Sequence, residues 1–265
     1  MSAPVSLTLP IFENSPQPLL QAAAHAGRLG FRGVFAFDHL IPIGEPGRPV
    51  FEGVSTLGVV AAAAPDIRVG MLVLRASLRG PEISTAAVRT AEMVAPGRVV
   101  IALGAGDRMS DDEADRLGLD RSDRMTALEA TLEQIKTMEP SVPIWVGGRS
   151  KKVRELAATR ADGWNAWGAE ADALRRETAE VRELAGRPLT VSWGGGVMLA
   201  PDQAALEDAV ARRGGTNGIN AGVPAAVVEH LSGLLEAGAD ELIVSILPNR
   251  LETWELFATT VLPGL

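Results

Sequence analysis

Short β-rich apolar runs alternate with longer amphipathic stretches along the whole chain, and they recur about every 34 residues. The runs are Val5–Leu9, Gly33–Phe37, Arg68–Leu74, Arg98–Leu103, Pro143–Val146, Gly163–Trp167, Leu189–Trp193 and Glu241–Leu247. Between them lie helical patterns over Pro18–Leu29, Ser55–Ala64, Pro81–Val94, Arg121–Met138, Ser150–Arg160 and Asp172–Leu184. The seventh gap holds two, Gln203–Arg213 and Pro224–Ala237, and Leu251–Leu262 closes the chain. Runs such as VFAF, VGMLVL and LIVSI are apolar on both faces, which is how strands of a covered parallel sheet read. Parallel strands joined by helices are βα units with right-handed crossovers. Eight such units in 265 residues give an α/β fold, a (β/α)8 TIM barrel forming a single domain over 1–265. A doubly wound open sheet would carry a GxGxxG turn after its first strand, where this chain has Pro10-Ile11-Phe12-Glu13.

Composition narrows the function classes. Apolar residues make up 46% and charged residues 22%, so neither disorder nor a fibre is expected. The net charge is −8 with no basic footprint, which argues against nucleic acid as a partner. With no cysteine there is no disulfide, thiolate metal site or cysteine nucleophile. No apolar run approaches the roughly 18 residues of a membrane helix. The opening MSAPVSLTLP lacks a positive leader region, so a cytoplasmic location is expected. Two stretches lack regular periodicity. Asp107–Asp123 carries seven acidic residues and reads as a loop entering a helix, and Gly214–Val223 reads as a flexible loop.

In a barrel the chemistry sits at the C-terminal ends of the strands, so the residues after each run are the informative ones. Asp38-His39 follows the second run, and histidine exchanges a proton near neutral pH. The other reading of His39 is a loop residue bonded to its neighbour. His25 and His230 fall inside helical patterns. Arg75 follows the third run, and Gly104-Ala105-Gly106-Asp107 follows the fourth. That glycine pair is either a tight turn or a place for a flat ligand, and Asp107 either a proton acceptor or a helix cap. After the fifth run, Gly147-Gly148-Arg149-Ser150 enters a helix directly, with Lys151 and Lys152 behind. Free N–H groups at a helix start bind anions, although a plain glycine turn with a serine cap reads the same. Trp164 and Trp167 are placed to line a pocket for a flat ring, whereas Trp145 and Trp193 read as rim packing. No metal-spaced histidine or carboxylate motif, GxSxG elbow or GxxxxGK[ST] loop is present.

Four segments in order resemble the bacterial-luciferase-like superfamily, and most closely its coenzyme F420-dependent branch. They are LGFRGVFAFDHL over 29–40, IRVGMLVL over 67–74, PGRVVIALGAG over 96–106, and PIWVGG over 143–148 followed by ADGWN over 161–165. The resemblance implies a luciferase-like barrel binding coenzyme F420, with FMN as the alternative. It places Asp38 against the deazaflavin ring and His39 beside it as the proton partner. It makes Leu72-Val73 a bulge behind the ring and sets Ala105-Gly106 along the ribityl chain, with Asp107 as a second acid/base. It puts Gly147, Gly148, Arg149, Ser150 and Lys151 on the phosphate.

The sequence also departs from the branch. Arg75 replaces a small or hydroxyl residue, which offers a contact to substrate or to a cofactor oxygen. Glu170 stands where sugar-phosphate dehydrogenases of the branch carry a lysine, which argues against a sugar-phosphate substrate. The resemblance implies an oxidoreductase moving a hydride between the deazaflavin and a small organic substrate, working as a homodimer. An FMN-dependent monooxygenase and a cofactor carrier without turnover are the competing expectations.

Overall fold

The computed structural model describes residues 4–42, 47–106, 111–119 and 123–265. Strand β1 (Val5–Thr8) leads through α1 (Gln17–His25) to β2 (Gly33–Ala36), and α2 (Gly53–Ala63) returns to β3 (Arg68–Arg75). Helix α3 (Ala76–Val94) connects to β4 (Val99–Gly104), and α4 (Asp111–Arg116) and α5 (Arg124–Met138) lead to β5 (Ile144–Gly147). Then come α6 (Lys151–Arg160), β6 (Gly163–Trp167), α7 (Ala171–Ala185) and β7 (Thr190–Leu199). The chain ends with α8 (Gln203–Arg213), β8 (Asn220–Gly222), α9 (Pro224–Glu236), β9 (Glu241–Leu247) and α10 (Leu251–Thr260). All pairings are parallel, in the order β6-β5-β4-β3-β2-β1-β9-β7. A further pairing of β6 with β7 closes the ring into the expected barrel of eight. No helix among the described residues is long and apolar enough to cross a membrane.

Strand alternation divides the apolar residues between two cores. Val5, Leu7, Val34, Val69, Ile101, Ile144, Val146, Trp164 and Val244 pack outward against the helices. Phe35, Leu72, Val100, Ala102, Trp145 and Ile243 form a separate cluster inside the barrel, with the Phe35 and Trp145 rings stacked 6.1 Å apart. Trp145 fits there because β6 begins with Gly163, where a Cβ would lie 2.4 Å from the indole. The N-terminal end of the barrel is closed by a charge. Glu241, fully buried, accepts from Ser6 Oγ at 2.5 Å and Arg68 Nη1 at 3.0 Å, with Arg32 Nη1 at 3.7 Å.

The structure differs from the sequence expectation in four elements. Strand β7 runs on through Gly194-Gly195-Gly196 to Leu199, although glycines usually weaken a strand. It persists because β9 pairs along it from Ser192 to Met198. Its outer half also pairs with β8, drawn from the stretch read as a flexible loop. Helix α3 starts five residues before Pro81 and kinks at Gly80, whose φ is 70°. The acidic stretch contributes α4, a separate short helix ahead of α5.

Candidate functional site

At the C-terminal end of β2 the chain delivers Asp38 into a buried cluster of arginines. Asp38 is 2% exposed. Its Oδ2 accepts the Arg75 backbone N–H at 2.9 Å and Arg79 Nη1 at 2.6 Å, and its Oδ1 accepts Arg79 Nη2 at 2.8 Å. Arg79 sits in the first turn of α3, before the Gly80 kink, and also pairs with Glu52. Glu52 in turn caps α2 by accepting the Val54 and Ser55 N–H groups at 3.1 and 2.7 Å. Those hydrogen bonds and Arg79 hold the Glu52 carboxyl below its ordinary range despite burial, which acts the other way. One arginine therefore ties the ends of β2, α2 and α3 together.

His39, next in the chain, turns toward a second carboxylate. Its Nδ1 lies 3.4 Å from Glu113 Oε2, and its ring rests 5.5 Å from that of Phe12. Glu113 comes from α4 and is 4% exposed. Its Oε2 also meets Arg75 Nη1 at 2.6 Å, while Oε1 accepts the backbone N–H groups of Leu40 and, at 2.9 Å, Ile41. Burial opposes the charge of Glu113, but the bonds from Arg75 and Leu40 prevail and keep its carboxyl below the ordinary value. His39 is shifted the other way from a typical ion-paired histidine. Burial first, and then the Arg75 charge, lower its pKa below 6.5, outweighing Glu113 and Asp38. That shift favours the neutral imidazole, the form able to accept a proton. Arg75 is itself 4% exposed, and its Nε and Nη2 are buried without a hydrogen-bond partner among the described residues.

Beside this cluster, β3 bulges. The Leu72–Val73 peptide is cis, and the register with β4 shifts between Leu72 and Leu74. The Val73 side chain is thrown across the barrel mouth, where a Cβ at Gly104 or Gly147 would lie 2.4 or 2.5 Å from its methyl groups. Ala105 and Gly106 follow β4 half-buried, Gly106 at φ 87°. Asp107 lies outside the described residues.

The expected anion turn has the right local form. Gly148 takes φ 129°, a backbone that favours glycine, and Ser150 caps α6 by accepting the Val153 N–H at 3.4 Å. The positive charges nearby are engaged by acids. Arg149 makes a two-pronged pair with Glu177 of α7, both contacts 2.9 Å, and Lys151, 77% exposed, lies 3.8 Å from Glu155. Trp164, which the sequence places beside a flat ring, is 0% exposed and packs outward against the helices, because it alternates with Gly163 and Asn165. Its indole N–H donates to Gly148 O at 2.8 Å and supports the turn from beneath. Trp167, 41% exposed, meets Phe37 edge-on at 5.5 Å.

Arg79, Glu52 and Glu113 are the members of the cluster that sequence reasoning missed. For Glu113 the signal was the acidic stretch after β4, which contains it without distinguishing it from its neighbours. Arg79 had no signal, since its helical turn precedes a glycine-proline break. Among the described residues no group of three or more histidines and carboxylates is arranged to hold a metal ion.

Comparison with known proteins places this geometry in context. Over 98 residues the chain is 34% identical to the F420-dependent glucose-6-phosphate dehydrogenase of Beutenbergia cavernae, covering 37% of this chain and 29% of that protein. Over 188 residues it is 24% identical to the enzyme of the same name from Nakamurella multipartita, covering 62% and 56%. The chain therefore spans little more than half the length of these relatives at most. Its fold matches an F420-dependent secondary alcohol dehydrogenase, solved with an F420-acetone adduct, at a TM-score of 0.82, with 17% identity over 100% and 99% of the two chains. It also matches a monooxygenase from Streptomyces bottropensis at 0.80, with 16% identity over 98% of each. The sequence profile described as luciferase-like monooxygenase matches residues 4–141 and 130–243, most of the barrel, and the chain belongs to that family.

Proposed function

We propose that this protein is a coenzyme F420-dependent oxidoreductase that moves a hydride between the deazaflavin and a small organic substrate. The observation that carries the reading is the setting of His39 at the barrel mouth, between Phe12 and Glu113 with Arg75 close by, beside the Leu72–Val73 bulge. Relatives named F420-dependent dehydrogenases support it.

The residues present fit a flat, anionic-tailed cofactor. Two buried guanidinium nitrogens of Arg75, Nε and Nη2, lack partners among the described residues and suit a ring oxygen. Ala105 and Gly106 offer a small-residue floor, and Gly147, Gly148 and Ser150 lead into the start of α6, where phosphate is favoured. Arg149 and Lys151 add charge at the rim. When bound, the deazaflavin supplies the hydride chemistry. The chain's part is to hold the ring on Val73 and to exchange one proton at His39. Asp38 shapes this wall through Arg79 and the Arg75 N–H, and Asp107 is a second proton partner in this reading. Glu170, exposed ahead of α7 where a sugar phosphate would need a cation, favours an uncharged or differently charged substrate. The working form is a cytoplasmic homodimer, with Val59 of α2 and Ile83 of α3, 51% and 61% exposed, on the contact face.

A second reading, an FMN-dependent monooxygenase, draws on the family description and on the monooxygenases that share the fold. Titration of the apoprotein with F420 and FMN, followed by fluorescence quenching, separates the two. Micromolar F420 binding with weaker FMN binding is expected. The reverse order would overturn the deazaflavin reading and make oxygen uptake the next assay.

A further inference from the structure

Glu113 lies six residues beyond Asp107 and meets four groups at the barrel mouth: His39, the Leu40 and Ile41 N–H groups, and Arg75. It draws together three elements: the loop after β2 through Leu40 and Ile41, the end of β3 through Arg75, and α4, which carries it. A carboxylate with this many donors stays ionised and has no proton to give. Its Oε2 nevertheless remains within 3.4 Å of His39 Nδ1. His39 Nε2 makes no hydrogen bond among the described residues, and the side chain is 16% exposed. An anion that can only accept, set against one ring nitrogen, decides which nitrogen carries the hydrogen.

We propose that Glu113 is a positioning residue for His39, fixing the proton on Nδ1 and leaving Nε2 as the nitrogen that exchanges a proton with a ligand in the barrel mouth. The proposal rests on the proton-partner role of His39 given above. Arg75 completes the arrangement. It holds Glu113 in place through Nη1 and, being cationic beside the imidazole, works against a second ring proton. The charged groups facing the ring are Arg75 of β3, Glu113 of α4 and the adjacent Asp38, with the uncharged Phe12 against its face. Glu113 acts by electrostatics and orientation and transfers nothing itself.

The test is nitrogen-15 NMR of the histidine side chains in the cofactor-free protein, with His39 assigned by its loss in His39→Gln. Above the titration midpoint the wild type is expected to show a protonated Nδ1 and an unprotonated Nε2. Glu113→Ala should release the ring toward the Nε2–H form that free histidine favours. Should Glu113→Ala not fold, Glu113→Gln serves. Without the carboxylate charge, Arg75 is unopposed, and the His39 midpoint should fall below that of the wild type. An Nε2–H tautomer in the wild type, or a tautomer and midpoint unmoved by substitution, would overturn the proposal. F420 quenching on the same wild-type sample tests the cofactor reading separately. A locked tautomer without F420 binding removes that reading and leaves the role of Glu113 standing.

Discussion

Arg79 and Asp38 meet in a two-pronged ion pair, Nη1 to Oδ2 at 2.6 Å and Nη2 to Oδ1 at 2.8 Å, with the arginine side chain 12% exposed and the carboxylate side chain fully buried. Such a pair matters most when one half is removed, because the partner is left as a bare buried charge. Arg79→Ala should cost about 3–5 kcal/mol of stability, read from urea unfolding. Arg79→Lys should recover only part of it, since an ammonium cannot bridge both oxygens in the same plane. A loss under about 1 kcal/mol, the range of exposed pairs, would show the pair to be incidental.

The opposite end of the barrel allows a control. Glu241→Gln leaves Arg68 and Arg32 without their buried anion and keeps the shape. Its stability should fall by about 1–3 kcal/mol, as for a lost hydrogen bond to a charged group, because the two arginines it leaves are each over a third exposed and stay solvated, while cofactor affinity is unchanged. Thermal unfolding and F420 titration on the same sample check both halves. A change in affinity would mean that the barrel floor and mouth are coupled.

At the mouth, Gly147→Ala would push a methyl group against Val73, where 2.5 Å separates the built Cβ from a Val73 methyl carbon. Overpacking of this kind costs about 1–3 kcal/mol. Val73→Ala in the same chain should restore much of the loss, because the two changes occupy one space. Additive losses in the double variant would rule out that contact as the cause.

The pH dependence of stability should carry the mark of His39. Its pKa in the folded chain lies below the ordinary 6.5, so between the two values the unfolded chain binds the extra proton and stability rises with pH. The contribution is whole above about 6.5 and is lost as the pH falls below that value. His39→Gln should therefore flatten the decline as the pH falls below about 6.5. His230, also lowered by burial, keeps its own share of the slope in that variant. Glu113 and Glu52 act in a separate window. Their pKa values lie below 4.5, so their stabilisation is present above that pH and fades as the pH drops through the lowered values. An unchanged slope in His39→Gln would argue against a buried neutral imidazole.

Periodicity along the chain was enough to place eight barrel strands and most of the helices, because burial on both faces and the 3.6-residue repeat are local properties. Helix α8 has the boundaries its pattern predicts, Gln203–Arg213. The apolar pattern ends β7 at Trp193, since three glycines follow, and only the pairing with β9 keeps them extended. A place near a strand end suggests a pocket for Trp164, although the alternation within β6 turns it outward.

The architecture, and the place of Asp38-His39 at a strand end, are written in the hydrophobic pattern and follow from the geometry of a closed parallel sheet. What those two residues meet depends on long-range contacts. Arg79 lies 41 positions from Asp38, and Glu113 lies 74 from His39. Neither distance leaves a trace in local propensity, because the contacts arise where the loops of successive strands converge around the barrel axis. The lowered pKa of His39 has the same origin. It depends on burial and on the direction of the Arg75 side chain, which the β3 bulge and the closure of the barrel settle together.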